Sequence, residues 1–291
     1  MTIFYALLAA LCNALNVIAQ HLGSISSAEK SKGWRFVAVL LRNPMWLAGW
    51  GALAGGFVFQ ALALHVGQLS VVQPLLVTEL VFALLLRRVW LRQHIRGVTW
   101  WAAALTCASL SVFLAMSEPE GGTYYPDSGA WATGAWGAVG LAAVLALLGT
   151  RGTVIQRTAL LASAAAVMWA LVATLVKTMT DTLTEFGVWG MFAHWPVYAL
   201  AAAGLGAEVV HQTALRVGPL SVSQPLLVIV NPIVSIALSV WIFQEYFTSD
   251  GARLAVGAVA FAAMCASVVA LARTAPPTMS SHSAASDVAH P

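Results

Sequence analysis

Long apolar runs separated by short polar stretches fill the 291-residue chain. A membrane-spanning helix needs roughly 20 mostly apolar residues. On that rule the pattern predicts nine spans, near 2–23, 45–66, 69–91, 98–117, 131–149, 158–178, 190–214, 219–243 and 252–273. The segment 34–42 is too short and too basic to span, and reads as an interfacial helix or loop. The expected fold class is an all-α integral membrane protein.

Loop charge orients these spans. Lys and Arg resist translocation, so they gather on the cytoplasmic face. With nine spans, the loops 24–44, 87–97, 150–157 and 215–218 share one face with the C-terminus and hold 12 of the 14 Lys and Arg residues. Only Lys177 and Arg253 fall opposite. The expected topology has the N-terminus outside and the C-terminus cytoplasmic. The outer loop Ser117 to Asp127 is acidic and rich in turn residues. Nothing basic precedes Lys30, so the first span is expected to stay rather than be cleaved. The tail from Ala275 to Pro291 is polar, aperiodic and expected to be disordered.

One apolar stretch occurs twice. Leu69-Ser70-Val71-Val72-Gln73-Pro74-Leu75-Leu76-Val77 returns 151 positions later as Leu220-Ser221-Val222-Ser223-Gln224-Pro225-Leu226-Leu227-Val228. Between positions 63 and 90 the offset gives 14 identities in 28 without a gap, among them Gly67/Gly218 and Trp90/Trp241. Gly, Ser, Gln and Pro in fixed order are not products of apolar composition. The second, third and fourth spans therefore align with the seventh, eighth and ninth. An odd offset of spans inverts one unit relative to the other, a plan recurrent in secondary transporters with midplane sites. The organisation read from this is a first repeat at 1–130, a connecting fifth span and loop at 131–157, a second repeat at 158–273 and a tail at 274–291.

Composition narrows the class further. The chain is 60% hydrophobic and 9% charged, far below the roughly 25% charged residues of a soluble domain. Cys12, Cys107 and Cys265 lie in apolar runs without regular spacing, so neither a disulfide framework nor a metal site is expected. No Walker loop, complete dinucleotide fingerprint, His-Glu-x-x-His or paired-cysteine motif occurs, and no enzyme activity or cofactor is expected. The basic loops contact anionic lipid in this reading and form no nucleic-acid surface.

Polar groups within spans are costly, so each requires a reason. Asn13, Asn16 and Gln20 recur at three and four residues, on one face of the first helix. That face suits a wet cavity or interhelical hydrogen bonds. Glu208, His211 and Gln212 cluster in the seventh span, and a carboxylate held inside the bundle there would be a candidate proton carrier. Glu79 lies mid-span where the second copy has Val230. Pro74 and Pro225 each follow a glutamine, Gln73 and Gln224, near a helix start. Asn231-Pro232 falls mid-span and predicts either a packing kink or a broken helix with exposed backbone groups. Trp169 and Lys177 share a face of the sixth span. Lys177 reads there as a snorkelling residue near the outer end. Glu245 ends the eighth span, as an interfacial anchor that caps the next span or as a gate. Gly51 and Gly55 form a small-xxx-small pair suited to close packing.

The second unit resembles the drug/metabolite transporter superfamily of EamA-like proteins. The likeness rests on Ala214-Leu215, Gly218-Pro219-Leu220-Ser221-Val222, Asn231-Pro232, Trp241-Ile242-Phe243-Gln244-Glu245 and the span around Gly257. The first unit departs at Leu80-Val81 and at His94, which stands where Glu245 would recur. Nine spans and the Asn43-Pro44-Met45-Trp46 entry are similar to the branch that includes the NIPA-type magnesium transporters. Gly56-Phe57 stands where that branch often has Gly-Glu. The resemblance implies a multi-pass secondary transporter of the cell membrane that moves a small metabolite by alternating access. A divalent-cation carrier and a non-transporting membrane sensor or assembly partner are the rival readings. Expected partners are membrane lipids and a small-molecule or ion substrate; proton coupling and a homodimer stay open.

Overall fold

The computed structural model describes residues 1–28, 42–92, 94–117, 119–123 and 126–274. The tail from 275 and nearly all of the 34–42 segment lie outside the described residues. In chain order the elements are α1 (Thr2–Ala28), α2 (Pro44–Val66), α3 (Leu69–Leu76), α4 (Glu79–Trp90), α5 (Gly97–Ser117), β1 (Pro119–Gly121), α6 (Ser128–Leu148), α7 (Val154–Met191), α8 (Trp195–Val217), α9 (Leu220–Ile242), β2 (Glu245–Phe247) and α10 (Gly251–Thr274). Among the described residues, eight stretches, counting α3 and α4 as one, are long and apolar enough to cross a membrane. The chain is an all-α, multi-span membrane protein. At 23 residues α8 matches α9 in length. It carries Glu208, His211 and Arg216, and is not among the eight.

Local chemistry sets the helix starts. The Asn43 side chain accepts hydrogen bonds from the Met45 and Trp46 amides, with Pro44 in the first turn of α2. Asp127 caps α6 in the same way. Thr153 and Gln156 form a reciprocal capping box at the start of α7. Helix α7 is the centre of the bundle. Its Ala162, Ala164, Ala165, Ala166 and Ala170 are fully buried and let neighbours approach closely. It also extends past the predicted end near 178, to Met191, with a break at Gly187 (φ 69°).

The two halves pack alike. Helix α1 lies against α2 and the α3–α4 run, as α7 lies against α8 and α9. Helix α5 packs on α10, and α3 on α9. Gly67, after α2, admits the Thr2 side chain of α1, and Gly218, after α8, admits Thr158 of α7. Thr2 also donates to the Val66 carbonyl at 3.0 Å.

Two expectations change here. The helix break falls in the first copy, at Val77–Thr78, whereas α9 runs unbroken through Pro225 and Pro232. Around the break the backbone bonds tighten to i→i+3, from Val77 to the Pro74 carbonyl and from Thr78 to that of Leu75. The Thr78 hydroxyl also donates to the Leu75 carbonyl at 2.7 Å, competing with the regular ladder. The packing glycines are not Gly51 and Gly55, because that side of α2 turns away from close neighbours: a Cβ on Gly51 would meet nothing and one on Gly55 only Cys12 at 3.7 Å. Gly49 and Gly56 face α1 instead, and a Cβ on Gly56 would stand 2.5 Å from Asn13 Oδ1. Gly56→Ala should therefore displace Asn13 and cost about 1–3 kcal/mol, read as a lower thermal midpoint in detergent. An unchanged midpoint would mean that Asn13 has room to move.

Candidate substrate cavity and its closed end

A cavity of about 450 Å³ lies among α1, α2, the α3–α4 break, α7, α8 and α9. Its polar lining is Asn13, Asn16, Gln60, Gln73, Glu79, His211, Gln224 and Asn231, with Trp169 and Phe57 supplying aromatic surface. Positions 151 apart meet across it: Gln60 and His211, Gln73 and Gln224, Leu76 and Leu227, Val77 and Val228. The two copies thus present the same registers to one space.

The chemistry is uneven around this space. Glu79 stands in the first turn of α4, at the helix break, with the Asn13 side chain beside it. Gln73 is 2% exposed, yet its amide nitrogen has no hydrogen-bond partner. His211 packs edge-to-face on Trp169, with ring centroids 6.5 Å apart, and its Nε2 is likewise unpartnered. Across the cavity the Ser235 hydroxyl donates to Asn231 Oδ1 at 3.2 Å.

One end of the cavity is sealed. Glu245, predicted as an interfacial anchor capping the next span, is 2% exposed and caps α3 instead. Its carboxylate accepts from the Leu69 amide at 3.0 Å, the Ser70 amide at 3.2 Å and the Ser70 hydroxyl at 2.7 Å. Lys177 Nζ donates to it at 2.7 Å and lies 4.4 Å from the Phe243 ring centre. Lys177 is therefore not snorkelling; it is 8% exposed and paired. One turn further along α7, Asp181 meets His65 of α2 at 3.5 Å. Above these contacts β1 and β2 pair antiparallel, with Gly121 opposite Glu245, and Thr123 donates to the Phe243 carbonyl at 2.8 Å.

Burial pushes the Glu245 carboxyl up, but the Lys177 charge and the bonds from Lys177, Ser70 and Leu69 outweigh it and hold the group below its ordinary 4.5. A depressed carboxyl contributes stability that is full above the ordinary value and is lost as pH falls through the lower folded value. Acid titration should therefore bring the parent and Glu245→Gln together only once the pH has fallen below the ordinary carboxyl value of 4.5. Convergence already near neutral pH would contradict the pairing.

Of the residues singled out from sequence, Asn13, Asn16, Gln73, Glu79, Trp169, His211, Gln224 and Asn231 line the cavity. Gln20 does not, and donates to Asn16 at 2.6 Å. Glu208 is not held inside the bundle: its side chain is 48% exposed. Ala203, Ala207 and Ala214 form the buried stripe of α8, and Glu208 sits one residue, about 100°, beyond Ala207. It accepts from Gln212 at 2.6 Å, and both side chains lie outside the cavity. His211, four residues after Ala207, stays on the inner face. Gln60 was legible at the repeat offset from His211 but not singled out. The pairing of Lys177, Glu245 and Leu69, up to 176 residues apart, carried no sequence signal.

No family model matches the chain. An uncharacterized protein of Corynebacterium glutamicum is 28% identical over 278 residues, covering 94% of this chain and 95% of its own. No solved structure matches. What the chain is similar to is thus a full-length relative of the same extent.

Proposed function

We propose that the protein is a secondary carrier of the cell membrane that moves a small polar solute by alternating access between two inverted units. The observation that carries this is a largely apolar cavity with polar groups set into it, lined by equivalent positions of both copies and closed off at one end by the buried Lys177–Glu245 pair. Inversion is supported by where the copies begin. The start of α9 sits at Thr158 of α7 through Gly218, and the start of α3 sits at Lys177 through Glu245. Those two points on α7 are about 28 Å apart along its axis, close to the thickness of a hydrocarbon core. Nine spans, α8 included, with the N-terminus outside would put the sealed end outside and the Arg-rich loops in the cytoplasm. The resemblance to the drug/metabolite transporters points the same way.

A cysteine at Gln60, in a chain stripped of Cys12, Cys107 and Cys265, tests the cycle. In proteoliposomes of known orientation it should react with a membrane-impermeant maleimide from the cytoplasmic side. Loosening the sealed end with Glu245→Gln should add reaction from the outside. Labelling confined to one side in both proteins, together with solute flux no greater than in empty liposomes across a broad panel, would sink the carrier reading.

A further inference from the structure

We infer that the cavity takes a small organic cation, an amine carrying a neighbouring hydrogen-bond acceptor, with the amine at Glu79 and the acceptor at Gln73. This rests on the carrier reading for its purpose, though not for its chemistry. The lining holds one carboxylate, Glu79, and among its residues no Lys or Arg. The nearest cation on α7, Lys177, follows the lining residue Val176 but is committed to Glu245 at 2.7 Å. Arg87 lies eight residues along α4 from Glu79, about 12 Å away on the helix axis. His211, the other titratable lining group, packs against Trp169. A part-buried carboxylate without a cation has lost some of its water, and the Asn13 side chain returns less than an ion pair would. An anionic solute would meet it with like charge, and a neutral polyol would leave it uncompensated.

The second requirement comes from Gln73. Its side chain is almost wholly buried, lines the cavity, and has an amide nitrogen with no partner. An unpaired buried donor is rare in folded proteins and asks for an acceptor that the protein does not supply. A hydroxyl or carbonyl on the solute meets that need. Trp169 and Phe57 add ring surface of the kind that attracts ammonium groups. The volume lies within the ordinary range for small-molecule pockets and leaves room for such a solute.

The test is thermal stabilisation of the purified full chain at matched ionic strength, using ethanolamine, ethylamine, glycerol, lactate and magnesium chloride as probes. Ethanolamine should stabilise the parent, and about tenfold more ethylamine should be needed for the same shift, because it lacks the acceptor. Glu79→Gln should need at least about thirtyfold more ethanolamine. Gln73→Leu should erase the preference for ethanolamine over ethylamine, and this variant keeps the test decisive if Glu79→Gln does not fold. Equal stabilisation by lactate or glycerol overturns the inference, as does the absence of any ethanolamine shift. Stabilisation by magnesium that requires Glu79 overturns it in favour of an inorganic cation. Glu79-dependent ethanolamine binding without flux leaves the inference standing and sinks the carrier. Flux of an anion or polyol without amine binding does the reverse.

Discussion

Glu245→Leu is expected to lower stability by about 3–5 kcal/mol, the largest loss from any single substitution in the sealed end. The carboxylate removed accepts four hydrogen bonds, from Lys177, the Leu69 and Ser70 amides and the Ser70 hydroxyl. Its loss leaves the Lys177 ammonium buried, with the Phe243 ring close by and the Asp181 carboxylate one turn along α7. Coulomb attraction alone would not make such a pair valuable, since desolvating both charges can cancel it. The asymmetry decides: a buried pair adds modest net stability, whereas half of one is a liability. Lys177→Met should therefore cost less than Glu245→Leu, because the α3 amides still satisfy the carboxylate. The double variant should lose clearly less than the two singles summed, since both remove one shared interaction. Thermal or denaturant unfolding in detergent reads all three. Strict additivity would show that Lys177 and Glu245 stabilise the fold independently.

Glu79→Gln is expected to suppress solute movement at low solute concentration while leaving the fold as stable as the parent or more so. An ionised carboxylate in a cavity costs desolvation energy, and an amide of the same shape removes that cost. Losing the charge that faces the solute should weaken binding by about 2 kcal/mol or more, roughly thirtyfold, which appears as lost flux at low solute concentration. Glu208→Gln is the matched control. Its side chain is half exposed, outside the cavity, bonded to Gln212 and 4.0 Å from His211 Nδ1 on the side away from the solute, so flux should change far less than in Glu79→Gln. If instead Glu208→Gln stopped transport and Glu79→Gln did not, the cavity would be the wrong site.

These two carboxylates show how far a linear reading reaches. Both are acids in apolar spans, and in sequence Glu208 has the richer company, with His211 and Gln212 beside it. Which of them faces inward depends on the phase of α8, and that phase is set by Ala203, Ala207 and Ala214 packing against the bundle. Alanine at an interface carries little signal in a chain this apolar. Asn13 and Asn16 were readable because their spacing alone puts them on one face, and both line the cavity. Gln73 and Gln224 were readable through the repeat. The helix break was not: Asn231-Pro232 looked the weaker stretch, yet α9 carries its prolines without interruption and Thr78 opens the first copy.

The sequence by itself determined the membrane class, the long helices and the duplicated registers, because length, apolarity and identity at a constant offset are properties of the line. Charge placement along that line oriented the spans as a proposal. Only the tertiary structure decided that positions 60 and 211, or 73 and 224, meet across one space, and that Glu245 closes the far end on α3 with Lys177. Those contacts join residues 68 to 176 positions apart. In an apolar chain such pairings are selected by packing and by the need to satisfy each buried polar group, and neither is written in local pattern.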